Sequence, residues 1–167
     1  GERPFAGTGT RNLSAEGRSG QTNFHVSASN LTQEGIMRFT PGFKRNNFRV
    51  NVDQQVVQNL ALQTSVFYSK SSQGRPSETS GNTLFDLTRV PAGVDLLAED
   101  EDGGLKLLMN PTDSESENPL YTLQATKQLE WRARFLGSAN LRYSPSEWLK
   151  VDANFSFDRL AATQETF

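Results

Sequence analysis

The chain has 167 residues, the size of one domain, yet only 35% of them are hydrophobic, which leaves little for a large two-sided core. Lys plus Arg (17) and Asp plus Glu (19) nearly cancel and neither sign gathers into a long stripe, so the electrostatic footprint of a nucleic-acid binder is missing and no nucleic-acid partner is expected. Without cysteine and with His25 as the one histidine, disulfide frameworks, thiol nucleophiles and Cys- or His-based metal clusters are excluded, and no cofactor is expected.

Period-two alternation recurs in nearly every regular segment, and no apolar run approaches the ~18 residues of a spanning helix. The pattern predicts an all-β fold: a single antiparallel up-and-down meander of about six strands with one long loop. The strands are expected near residues 11–16, 22–32, 44–53, 60–70, 124–143 and 148–159, with the loop over 71–122. The first leads through a turn at Gly17-Arg18-Ser19-Gly20 into the second, where Phe24, Val26 and Ala28 alternate with Asn23, His25 and Ser27. Gly35 and Pro41-Gly42 interrupt the pattern before the third strand. A connection over Gln54 to Asn59 then joins the third strand to the fourth.

The long segment 71–122 is rich in Ser, Gly, Pro and Asn, with a short helix or packed turn expected within Leu84 to Leu97. Its acidic run offers Glu99, Asp100 and Asp102 as a Ca²⁺ candidate, although the spacing misses the EF-hand pattern and a solvated run is the better reading. The fifth and sixth strands meet through Ser144-Pro145-Ser146-Glu147 and make a hairpin. Nothing here supports catalysis. Gly17-Arg18-Ser19-Gly20-Gln21 lacks the final glycine of a nucleophile elbow, and no carboxylate pair stands in an apolar neighbourhood.

Alternation divides the strand residues into two sets. Arg45, Arg49, Asn51, Arg132, Arg134, Arg142 and Asp152 fall on a polar side; Phe48, Val50, Leu62, Trp131, Phe135, Tyr143, Trp148, Val151 and Phe155 fall on an apolar one. The pattern alone leaves two arrangements open. In a soluble sheet the apolar side packs on a core and the polar side meets water; in an outer-membrane barrel the apolar side meets lipid and the polar side a wet lumen. Short connections alternating with one long excursion suit the barrel; Tyr143 and Trp148 suit a periplasmic girdle and Trp131 and Tyr68 an outer one, although on the aromatics alone rim residues of a sandwich core are the commoner choice.

Read together, "NLSAEGRSGQTNFHVSASNLTQEGIM", "GFKRNNFRVNVDQQVVQNLALQTSVFYSKSS" and "FLGSANLRYSPSEWLKVDANFSFD" resemble early barrel strands of SusC/RagA-type TonB-dependent outer-membrane transporters. The resemblance covers about four fifths of the chain, in order, and lacks a plug and a TonB box. It implies a segment of an active transporter in the outer membrane of a Gram-negative-type bacterium, importing large solutes such as glycans or peptides. The implied partners are the remaining barrel and plug, a surface lipoprotein and the TonB complex. About six strands cannot close where such a barrel needs about 22, so the sequence is expected to be a piece of something longer. The alternative is a non-catalytic β-sheet module, an extrinsic structural subunit peripheral to a larger membrane-associated complex in the periplasm, its edges covered by other protein subunits.

Overall fold

The computed structural model describes residues 7–35, 39–75, 83–110, 112, 117–125 and 128–166. It contains the strands β1 (Thr8–Ser19), β2 (Thr22–Gln33), β3 (Phe43–Val57), β4 (Leu60–Arg75), β5 (Gln128–Ser146) and β6 (Leu149–Thr166) and the short helices α1 (Thr83–Thr88) and α2 (Pro119–Ala125). The six strands form one sheet in sequence order, every neighbouring pair antiparallel. The expected all-β meander is therefore the fold, with most strands longer than the alternation predicts. β3, β4 and β6 reach 15, 16 and 18 residues, because main-chain pairing continues through polar and glycine positions after the apolar pattern has ended.

The turns tighten for the same reason. Gly17, expected in a turn, lies within β1 opposite Phe24, whose ring occupies the space where a glycine Cβ would be. This cross-strand aromatic cover compensates a weak strand former. The turn itself is Gly20–Gln21, with Gly20 at φ 58°, the positive φ that a type II′ hairpin demands of its first central residue. Gln58–Asn59 and Glu147–Trp148 close the other two hairpins, each beside a register shift. The Gln55 side-chain amide donates to the Val57 carbonyl at 2.6 Å across the first of these shifts. All three two-residue turns stand at one end of the sheet. The β2–β3 and β4–β5 connections stand at the other.

Two expectations about the long connection are corrected. β5 begins at Gln128, not near 124, because Pro119–Ala125 forms α2; and β4 runs on to Arg75. The helix start has a physical cause in its sequence. Asn118 caps it, its Oδ1 accepting from the Leu120 amide at 3.0 Å, and Pro119 takes the first helical position, where its missing N–H costs nothing. Asn118 is 2% exposed and also donates through Nδ2 to the carbonyls of Leu96 and Lys106, both at 3.0 Å. One amide thus ties three stretches of the connection together around buried Leu105 and Leu123.

Those two leucines are the buried hydrophobic residues among the described ones, and neither is in the sheet. The sheet residues Leu13 and Phe155 are 75% and 69% exposed. Full burial of side chains of this kind is worth roughly 1.5–3 kcal/mol each, so the apolar face is strongly stabilised by whatever replaces water on it.

Candidate functional site

Registered pairing sorts the strand residues onto two faces, since directly opposed residues point the same way. Arg45, Arg49, Asn51, Arg132, Arg134, Arg142 and Asp152 all lie on one face. Phe48, Val50, Leu62, Trp131, Phe135, Tyr143, Val151 and Phe155 lie on the other, and Trp148 sits in the β5–β6 turn. Trp131 and Tyr68 share a face but not a level, for Trp131 is paired with Ser72, further toward the long connections than Tyr68.

The polar face is held by its own side chains. Asn47 bridges three strands, donating to the Ser29 hydroxyl at 3.0 Å and accepting from the Ser69 hydroxyl at 2.8 Å. The Ser65 hydroxyl donates to Asn51 at 2.7 Å, and Asn140 donates to Asn154. Two ion pairs cross β5 and β6: Arg134 with Asp158 at 2.7 Å and Arg142 with Asp152 at 2.9 Å. Arg134 reaches Asp158 through two of its nitrogens, the forked geometry that suits a carboxylate.

Toward the long connections, Glu130 is nearly buried and ion-paired with both Arg75, at 2.7 Å, and Arg132. It borders an open hollow of about 510 Å³ that is also lined by Arg45, Arg132, Arg134, Phe43 and Phe67. Two arginines of β3 are occupied differently from those of β5. The Arg49 guanidinium lies 5.1 Å from the centre of the Phe67 ring, and that of Arg45 lies 5.8 Å from the centre of Phe43. A guanidinium over an aromatic face keeps its N–H edges free to donate, so these two offer cationic donors beside apolar surface. Glu130, Arg75, Phe43 and Phe67 were not among the expected polar-face residues. The alternation parity of β3 to β5 would have placed them.

The Ca²⁺ candidate is not supported. No group of three or more potential ligands converges among the described residues. Glu99 instead pairs with Leu105, the Asp100 amide donates to the Gly104 carbonyl at 2.7 Å, and an Asp100 carboxylate oxygen accepts from the Glu101 amide. A tight backbone turn holds the run, and Glu99, Asp100 and Asp102 are each exposed.

No protein-family model matches the sequence. A TonB-dependent receptor of Formosa agariphila, named P26, is 28% identical over 155 residues, covering 93% of this chain and 15% of that protein. Among solved structures, the RagAB peptide transporter superposes with a TM-score of 0.74 at 18% identity, over 95% of this chain and 18% of the other. The RagAB peptide importer gives TM-scores of 0.74 in its open-open state and 0.70 in its closed-closed state. The chain has the fold of a segment of a SusC/RagA-type β-barrel. The resemblance read from the sequence is thus met from two directions, by a TonB-dependent receptor in sequence and by RagA-type barrels in structure. The chain spans less than a fifth of the length of each protein it matches.

Proposed function

We propose that the chain forms part of the wall of a TonB-dependent transporter in the outer membrane, with its apolar face against lipid and its polar face toward a water-filled lumen. The observation that carries this reading is a sheet with an exposed apolar face, a hydrogen-bonded polar face and two open edges, superposing on a RagA-type barrel. An open edge in hydrocarbon leaves main-chain groups unpaired at several kcal/mol each, so β1 and β6 are paired to further strands of the same cylinder.

The strand ends support one orientation. Two-residue turns belong on the periplasmic side and long connections outside, so the 76–127 connection is extracellular. A transmembrane strand needs ~9–11 residues. The 16 to 19 residues of β4, β5 and β6 therefore carry the sheet beyond the bilayer, and on β4 the apolar positions stop at Tyr68 while the strand continues to Arg75.

The whole transporter takes up large solutes of the peptide or glycan class, energised through a plug and the TonB complex and capped by a surface lipoprotein. This segment contributes wall and lumen surface. The Arg45, Arg49, Arg132 and Arg134 group faces the plug or the passing solute, and no residue here acts on a covalent bond.

The test is fractionation of cells carrying the intact polypeptide. The expected result is a heat-modifiable protein of large-barrel size in the outer membrane. Recovery of a soluble 18.5-kDa species, or of one bound peripherally to a membrane complex, overturns the proposal.

A further inference from the structure

Charge on the apolar face is confined to one end. From the row Ala15–Val26–Val50–Val66–Gly137–Phe157 down to the two-residue turns, the paired residues of this face include no charged side chain. Toward the long connections the sign is single. Arg159 stands in the next row, Arg11 and Lys70 in the one beyond, and Lys44 one row further.

The third of these rows is a continuous line of hydrogen-bond donors across four strands: Arg11 opposite Asn30, Asn30 opposite Asn46, Asn46 opposite Lys70. Asn30 donates to the Asn46 side-chain oxygen at 2.7 Å, which orients the Asn46 amide nitrogen as a free donor between the two cations. Lys70 lies 5.5 Å from the centre of the Trp131 ring. Lys44 is diagonal to Lys70 on the neighbouring strand, a spacing of ~7–8 Å. None of the four cations has an ion pair among the described residues. The nearest carboxylates of this face, Glu34 and Glu165, stand further out, and Glu34 accepts from the Gly7 amide.

We propose that this rim binds the net-anionic phosphate headgroup of a lipid in the leaflet on the long-connection side, one whose phosphate carries no internal cation, with Arg11, Asn46, Lys70 and Lys44 as its donors. The inference rests on the barrel reading above. A row of cations and amides fits phosphate oxygens, which accept several charge-assisted hydrogen bonds at once. What selects a lipid over a soluble phosphate is the row immediately beneath, Leu13, Ala28, Phe48 and Tyr68, an apolar strip in line with the donors on which acyl chains lie. Trp131 at the same level is the residue type that settles at such an interface. Arg159, one row lower, has the length to raise its guanidinium to the same plane.

The test is native mass spectrometry of the purified full-length protein, incubated in detergent with phosphorylated lipid A or with phosphatidylcholine. The wild type is expected to retain lipid A and not phosphatidylcholine. The Lys44→Gln/Lys70→Gln double variant is expected to lose about tenfold in retention, whereas Lys106→Gln, a cation of the long connection, keeps it. Unchanged retention in the double variant, or equal retention of the two lipids, overturns the proposal. Heat-modifiability of the same samples separates the two failures. A protein that is not a heat-modifiable barrel ends both readings, and a heat-modifiable double variant with full retention ends this one alone.

Discussion

Val50 and Asn51 are neighbours on β3, each half-exposed, and they belong to rows that cross the whole sheet. The row through Val50 is Ala15, Val26, Val50, Val66, Gly137 and Phe157; the row through Asn51 is Glu16, His25, Asn51, Ser65, Ser138 and Ser156. Exposure does not distinguish them. What does is how each coheres: the second row and its neighbours are laced by hydrogen bonds between side chains, while the first gains stability only when something apolar covers it. On the proposed reading, the two rows face two different solvents.

The comparison breaks most sharply at its centre. Val50→Arg puts a charge in the middle of the apolar face and is expected to destabilise the barrel by ~2–4 kcal/mol, read as loss of the heat-modifiable band. Asn51→Arg, one residue away, is expected to leave that band intact. If the two variants behave alike, the assignment of the faces is wrong.

A smaller effect separates sheet from connection. Asn118→Ala removes the cap of α2 and strands two carbonyls near buried Leu105, a local cost of ~1–3 kcal/mol. Limited proteolysis is expected to cut the long connection faster while the barrel keeps its mobility on gels. Asn47→Ala, which loses its bonds to Ser29 and Ser69 on the wet face, is expected to cost only about 1 kcal/mol in a urea titration. Smallest of all is Arg134→Gln. Its pair with Asp158 is open to solvent on both sides, so any change in stability is expected to shrink as salt is raised.

Much of this was legible in the sequence because a strand's side-chain period is two, whatever lies on either side. Alternation alone separates Arg49 from Val50 and Asp152 from Val151. Strand ends were harder. Gly74, Arg75, Gln164 and Glu165 belong to paired strands though no apolar pattern marks them, since ladder hydrogen bonds form between backbones. Within the connection, α1 falls where a short helix or packed turn is expected, over Leu84 to Leu97, whereas the seven residues of α2 are too few to show a helical period. Asn118-Pro119 nonetheless carries a helix start signal, a capping amide followed by proline. The hollow beside Glu130 draws its residues from β3, β4, β5 and β6, so only the register brings it into view.

The most direct measurement uses the absence of cysteine from this segment. Single cysteines at positions 62 to 69 of β4, in the full-length protein with any cysteines elsewhere replaced, carry spin labels reporting collision with oxygen or with a water-soluble nickel chelate. The account predicts a strict alternation: labels at Leu62, Thr64, Val66 and Tyr68 meet oxygen and exclude nickel, and labels at Gln63, Ser65, Phe67 and Ser69 do the reverse. Labels at Leu62, Thr64, Val66 and Tyr68 shielded from both probes would place that face under protein instead of lipid and contradict the account.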